Sequence, residues 1–323
     1  MSKPLPIWQD LPTHFKEDVV NYLDFKSRLK LRSCSKSDLH LVDNCPFHIH
    51  SLQIDQECDE PLYIFLTFVK DGTRYKFDST EHNSTALFNL LSHRNSKCSF
   101  LVFACHLEFT LDKFIKEFLG KLENRQQKLN IENFAWYCGE TDVLIPLFEW
   151  LKPNGLNKIR LNLMDFEDEN KESTVREFVH TDQFKNGREI DLYDYPVDDY
   201  FQIFLGFDNL RIGVEKLTEK MLLELIDAVK TRNPPIGSQF VIKSKKVIEI
   251  DTLEPAFQDL EGVDTRFKED QPPQKAVHLI SDSRCLVIIK WNKAIEATVC
   301  GWENWKDDFQ KYHGKNLTWI DLI

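Results

Sequence analysis

No apolar run in the chain reaches the roughly 18 residues that a membrane-spanning helix needs. The first ten residues, Met1 to Asp10, hold no apolar stretch of the signal-peptide kind, so secretion is not expected. The eight cysteines (Cys34, Cys45, Cys58, Cys98, Cys105, Cys138, Cys285 and Cys300) include no CxxC pair. Scattered single thiols do not make a disulfide framework, and they read as reduced groups in a cytoplasmic and/or nuclear protein. In that setting the sequons Asn83-Ser84-Thr85 and Asn316-Leu317-Thr318 are expected to stay unglycosylated. Positive charge is also in deficit. Lys and Arg number 41 against 52 Asp and Glu, a formal net charge of −11. A general nucleic-acid or anionic-membrane partner is therefore not expected, because phosphate binding needs clustered cations. Missing too are a nucleophile elbow, a P-loop, an HExxH and a GxGxxG, and no spacing pairs a nucleophile with a base. No catalytic residue, metal site or cofactor is expected.

What is present suffices for a folded core: 42% of residues are hydrophobic and 12% aromatic. The 323 residues suit one small and one large unit. Residues 1–45 hold 7 Lys+Arg and 6 Asp+Glu, about +1, and the remainder holds 34 against 46, or −12. The small unit reads as three short helices. The first follows Thr13 as N-cap and sets Phe15, Val19, Val20 and Leu23 on one face; the second carries Leu29 and Leu31; the third carries Leu39, Leu41 and Val42. Cys45-Pro46 ends it, since proline disfavours helix in the residue before it. So small a unit cannot cover its own apolar face, and a partner surface is the natural completion. Docking on the chain's own later residues is the alternative.

Beyond residue 47 the texture changes. Leu62–Val69 and Arg74–Phe77 read as a hairpin turning at Asp71-Gly72. Helical faces follow: Leu111, Phe114, Ile115, Phe118, Leu119 and Leu122 after Thr110; Val143, Leu144, Leu147, Phe148 and Leu151 after Thr141; Met221, Leu222, Leu225, Ile226 and Val229 after Thr218, stopped at Asn233-Pro234-Pro235. Between them lie expected strands at Leu101–Phe103, Phe134–Tyr137, Ile159–Leu163, Ile190–Leu192, Leu210–Ile212 and Phe240–Ile242. The strand starts step by 33, 25, 31, 20 and 30 residues. That irregular period approaches a leucine-rich repeat of roughly 20–29 residues but shows no LxxLxLxxN signature. The expected fold is thus an N-terminal three-helix unit, then a leucine-rich-repeat-like curved α/β array. Strands at Val277–Ile280, Cys285–Trp291 and Ala294–Val299 are expected to cap it.

Three local patterns resemble sites. Cys45, His48, His50 and Cys58 lack the paired cysteines of a zinc centre, and the His pair reads as two polar positions of a strand. The acidic run Asp165, Glu167, Asp168, Glu169 and Glu172 lacks the glycine and ligand spacing of a calcium loop and reads as a solvated loop. Lys243, Lys245 and Lys246 form a small basic cluster, read as ordinary surface rather than as a nuclear-import signal.

Leu11-Pro12, Phe15, Val19, Val20, Leu23-Asp24, Ser27-Arg28-Leu29, Leu31, Cys34-Ser35-Lys36 and Leu39–Val42 together resemble the F-box, over nearly the whole motif. The chain departs from it at Ser37-Asp38, where many F-boxes place a Trp. Ala86–Leu91 with Lys97, the helix Leu111–Leu122, Ile145–Phe148 and above all Leu151-Lys152-Pro153-Asn154-Gly155-Leu156-Asn157-Lys158-Ile159 resemble the FTH domain that follows the F-box in a large nematode family. That likeness covers about residues 80–230. The resemblance implies an F-box at 1–46, an FTH-type substrate-binding domain at 47–323 (core about 80–260), and a non-catalytic, substrate-recruiting subunit of a cullin-RING (SCF-type) ubiquitin ligase. The implied partners are a Skp-type adaptor, the cullin and a protein substrate. Leu11, Pro12, Phe15, Val19, Val20, Leu23, Leu29 and Leu31 would contact the adaptor. Alternation on the strands, with Ile159, Leu161, Ile190, Leu192, Leu210 and Ile212 turned inward, leaves Arg160, Asn162, Glu189, Asp191, Tyr193 and Arg211 as candidate substrate contacts. The hairpin near Asp71-Gly72 and the C-terminal strands compete for that role, and an interaction scaffold without ligase coupling is the alternative function.

Overall fold

A computed structural model describes residues 7–56, 62–68, 72, 74–78, 91, 96–105, 108–125, 128–138, 142–162, 168–248 and 274–312. The chain forms two compact units, residues 1–157 with 166–186, and residues 158–165 with 187–323.

The first unit begins with a 3-10 turn at Trp8–Asp10 and three helices: α1 (Thr13–Tyr22), α2 (Phe25–Arg32) and α3 (Lys36–Asp43). Thr13 is the first helical residue rather than the cap. Pro12 holds the cap position, and its carbonyl accepts from the Lys16 N–H at 3.2 Å. Asp24 and Ser35 cap α2 and α3, accepting from the Ser27 and Asp38 amides at 2.7 and 3.0 Å. Val20, Leu41, Val42 and Cys45 form the bundle's core, with Trp8 and Leu31 packed against it.

Five strands follow in the spatial order β5-β4-β1-β2-β3. They are β1 (His48–Gln56), β2 (Tyr63–Phe68), β3 (Arg74–Asp78), β4 (Lys97–Cys105) and β5 (Ile131–Trp136). The expected hairpin is present, β2 pairing β3 antiparallel with Leu66 opposite Tyr75. Gly72 sits in the connection between the two strands at φ +64°, a conformation glycine adopts without a Cβ penalty, and Asp71 lies outside the described residues. β1 was not expected as a full strand. It lies centrally, parallel to β4 and antiparallel to β2, and its inner positions Gln53, Asp55 and Gln56 hide the apolar alternation. Gln53 is accommodated because Arg74 Nη2 donates to it at 3.0 Å and it donates to Asp55 at 2.9 Å.

Helix α4 (Glu108–Arg125) crosses between parallel β4 and β5, with Phe114, Ile115, Phe118, Leu119 and Leu122 buried. It starts before Thr110, which is therefore inside it and not its cap. The Leu111 side chain lies outside the described residues, as does Thr141. Helix α5 (Leu144–Glu149) is shorter than expected. Leu151 leaves it to bridge Leu129, with Leu129 N donating to Trp150 O and Lys152 N to Leu129 O, both at 2.8 Å. Helices α6 (Asp168–Phe178) and α7 (Asp182–Lys185) complete the unit. The acidic run is thus helical from Asp168 on, not a loop; acidic residues in a first turn favour the helix dipole. Phe178 brings α6 into the core, 4.5 Å from Phe148 between ring centroids.

The second unit has strand order β10-β11-β12-β9-β8-β7-β6. Strands β6 (Lys158–Asn162), β7 (Glu189–Pro196), β8 (Asn209–Val214) and β9 (Gln239–Ser244) run parallel. Strands β10 (Gln274–Ser281), β11 (Arg284–Lys290) and β12 (Ala294–Gly301) join antiparallel through β12 on β9. Between β7 and β8 lies α8 (Phe201–Phe204), and between β8 and β9 lies α9 (Glu219–Arg232). Helix α9 follows its sequence signals closely. Thr218 accepts from the Met221 amide at 3.3 Å, Leu222, Leu225, Ile226 and Val229 are buried, and Asn233 ends it left-handed at φ 48°. Gly213 is required by contact: a Cβ there would lie 2.8 Å from the Tyr195 carbonyl, where the β7 register shifts. A last helix, α10 (Trp305–Tyr312), covers Val277, Cys285, Val287, Ile289 and Cys300 with Phe309 and Trp305.

Candidate functional site

In the first unit, α1 divides its apolar residues between two surfaces. Successive residues of a helix point about 100° apart, so Val19 and Val20 cannot share one. Val20 is fully buried in the bundle's own core and is not a surface contact. Phe15, Val19 and Tyr22, at i, i+4 and i+7, form an exposed stripe, with Phe15 55% and Tyr22 77% accessible. Leu29 on α2 and Ile7 before α1 are exposed as well. Pro12 is exposed, and Leu11, Leu23 and Leu31 are half-buried. Ile7 and Tyr22 escaped the sequence reading because neither fits the face that Phe15 and Val20 suggested.

The opposite side of the bundle is held by the chain itself. Phe25 is buried, its ring 4.7 Å from Phe68, 5.4 Å from Tyr75, 6.0 Å from Phe77 and 6.3 Å from Phe47. Arg28, also buried, donates to the Pro46 carbonyl at 2.9 Å and lies 4.4 Å over the Phe47 ring. The two fates proposed for the apolar residues are both realised: Phe25 docks on the hairpin while the α1 stripe stays open. An indole also reaches the bundle from the other end of the motif. Trp8 Nε1 donates to Asp38 at 2.7 Å, and Asp38 takes a second hydrogen bond from the Ser35 hydroxyl at 2.7 Å. Those two donors, Ser35 first, hold the Asp38 carboxyl below the ordinary carboxylate range.

In the second unit, Ile159, Leu161, Ile190, Leu192, Leu210 and Ile212 are all buried, and Arg160, Asn162, Glu189, Asp191 and Arg211 take the alternate positions. The Tyr193 side chain lies outside the described residues; its backbone pairs with Asn162. The strand register sets Arg160, Asp191 and Arg211 in one row. Arg160 Nε lies 3.0 Å and Arg211 Nη1 3.9 Å from Asp191 Oδ2, with the three side chains 11–19% exposed. In the row beside it Lys158 Nζ meets Glu189 at 2.5 Å. Asp191 therefore offsets one of the two guanidinium charges and the row keeps a net +1, which spacing in sequence does not reveal.

Among the described residues no group of three or more His, Cys, Asp or Glu comes together to hold a metal. His48 is exposed and His50 lies against the Phe100 ring at 5.5 Å; Cys58 is outside the described residues. Burial pushes the Cys98 thiol up to about 12 and that of Cys285 up to about 11, far from nucleophilic. No described helix is long and apolar enough to cross a membrane.

Family comparison matches residues 8–50 to the F-box domain and residues 112–255 to the FTH domain. No curated protein sequence matches the chain. The helical bundle with its open apolar stripe coincides with the first match, and the parallel strands that carry the charged row fall within the second: the chain is an F-box protein with an FTH domain.

Proposed function

We infer that the chain is the substrate-recruiting, non-catalytic subunit of an SCF-type cullin-RING ubiquitin ligase. The carrying observation is the stripe of Phe15, Val19 and Tyr22 with Leu29, left exposed although the chain's own hairpin takes Phe25 from the same bundle. Apolar side chains gathered on one face without a cover mark an interface. In this reading Leu11, Pro12, Phe15, Val19, Leu23, Leu29 and Leu31, together with Ile7 and Tyr22, meet a Skp-type adaptor that joins the cullin. Residues 47–323, a repeat-like array of strands and helices, hold the protein substrate. The protein then contributes proximity: it raises the effective concentration of a substrate lysine beside a ubiquitin-charged enzyme. Substrate contacts are assigned to the strand face of Arg160, Asn162, Glu189, Asp191, Tyr193 and Arg211. Two features support that assignment: the face is mixed in charge, and Arg and Tyr are enriched at binding hot spots.

The test is adaptor binding by the whole chain, since Phe25 ties the bundle to later strands. Phe15→Asp with Tyr22→Ala is expected to weaken it by about 2–4 kcal/mol, the scale of hot-spot truncation. Leu11→Ala with Pro12→Ala is expected to weaken it as well. Unchanged adaptor binding by both variants would leave the scaffold without ligase coupling as the better reading.

A further inference from the structure

Three segments of the second unit, distant in sequence, are stitched by backbone hydrogen bonds into one surface at the end of β8 and β9. Lys245 N donates to Val214 O at 3.0 Å and Lys246 N to Glu215 O at 3.2 Å. Ser244 N donates to Lys293 O at 2.8 Å and Ile248 N to Asn292 O at 2.9 Å. Residues 213–217, 243–248 and 290–294 thereby bring together Lys216, Lys243, Lys245, Lys246, Lys290 and Lys293 with two acids, Glu215 and Asp198, whose Oδ2 accepts from the Glu215 amide at 2.8 Å. Six lysines against two acids leave a local charge of +4 on a chain whose total is −11. Glu215 is engaged by Lys245 at 2.5 Å. Lys216, Lys246 and Lys293 are exposed, and no ion pair holds them among the described residues. Lys290 is buried, which lowers its affinity for a proton, and Lys216, Lys246 and Lys293 are the cations that face a partner.

Two apolar side chains stand among these cations: Trp291, 37% exposed, and Val247, 59% exposed. Both lie beside bends of the chain and leave part of their apolar surface in water. Lysines alone would be ordinary surface. Lysines around a partly exposed indole have the composition of an interface centre with a charged rim, where tryptophan is among the commonest anchors.

We propose that this surface, built on Lys216, Lys245, Lys246, Val247, Trp291 and Lys293, binds an acidic peptide segment with an apolar anchor residue, and that such a segment is the recognition element of the protein substrate. The proposal rests on the reading of the chain as a substrate recruiter and specifies the substrate's chemistry. Charge complementarity selects the acidic partner, and Trp291 with Val247 selects the anchor. The surface is continuous with the strand face assigned to substrate, because Lys243 pairs with Gly213 one step along from Arg211 opposite Val241. A nucleic acid fits less well: a long phosphate backbone would run off these lysines onto a strongly acidic molecule, and no arginine lies in the three segments.

The experiment uses the whole chain in complex with its Skp-type adaptor. Binding of a fluorescein-labelled dodecapeptide, glutamates flanking a Leu-Phe pair, is compared with its glutamine twin and with oligothymidine. The acidic peptide is expected to bind about tenfold more tightly than the twin, as a few exposed charge pairs supply. The preference is expected to shrink as added salt shortens the screening length below about 10 Å. Lys246→Glu with Lys293→Glu should abolish it, and the milder Lys246→Gln with Lys293→Gln should reduce it. Trp291→Ala should weaken the acidic peptide and its twin alike. Equal binding of acidic peptide and twin, a preference that survives the double reversal, or tighter binding of oligothymidine would each overturn the proposal. So would peptide binding that appears only after the acids of residues 249–273 are neutralised, because the chain's own segment would then be the occupant. Loss of adaptor binding with the peptide preference intact would sink the ligase reading and leave this surface standing.

Discussion

Replacing Phe25 by alanine tests whether the F-box helices are fastened to the strands that follow them. The side chain is buried and meets four aromatic rings, stacked on Phe68 at 4.7 Å and edge-on to Tyr75, Phe77 and Phe47 at 5.4, 6.0 and 6.3 Å. Truncating a buried Phe costs about 3–5 kcal/mol in lost transfer and cavity terms. The cluster belongs at the upper part of that range, because ring pairs add about 0.5–1.5 kcal/mol each beyond area. The loss should be local, since the core of the bundle is Val20, Leu41, Val42 and Cys45 and does not include Phe25. Hydrogen exchange read by mass spectrometry over Tyr63–Phe68 and Arg74–Asp78 is the assay. Where local opening governs exchange, 3–5 kcal/mol lowers protection by about two to three and a half decades, at 1.4 kcal/mol per decade. Adaptor affinity should change little, because Phe15, Val19 and Tyr22 lie outside the cluster. A fall in protection of less than about tenfold would refute the claim that Phe25 fastens the hairpin to the bundle.

Other expectations follow from single contacts. The Asp38 carboxyl is held low by Ser35 and Trp8, so its contribution is fully present above the ordinary carboxylate value and is lost as pH falls through the lower folded value. The Trp8 indole N–H resonance should therefore hold steady from pH 7 down to about 4 and move only below that; movement between pH 7 and 5 would contradict the Trp8–Asp38 bond. Thr218→Ala should cost the second unit about 1 kcal/mol in urea unfolding through the lost cap on α9, and Thr218→Ser should restore it. Alkylation of the native chain near pH 8 should label exposed Cys34 and spare buried Cys98 and Cys285; labelling of Cys98 as fast as Cys34 would show that the β4 core opens.

Local chemistry was legible in many places where one segment contains the partners it needs, though Thr13 and Thr110 stand inside their helices rather than at the caps. Helix α9 could be read whole, because its Thr218 cap, its apolar stripe and its Asn233-Pro234-Pro235 stop interact with their own neighbours in sequence. The F-box pattern and the six strands from β4 to β9 were visible for the same reason, as apolar spacing within short windows. The tertiary structure decided what depends on distant partners. Strand β1 exists despite Gln53, Asp55 and Gln56 because neighbouring strands on both sides pair its backbone and Arg74 meets Gln53. Leu151 leaves its helix because Leu129 pairs with it. Val20 turns inward and Val19 outward only because α3 stands on one side of α1. Register brings Arg160 and Arg211 to the one carboxylate of Asp191, and the lysines around Trp291 converge through hydrogen bonds between strands far apart in the chain. Helical periodicity is written within a few residues; pairing across a sheet is settled by whichever distant segment closes the backbone hydrogen bonds.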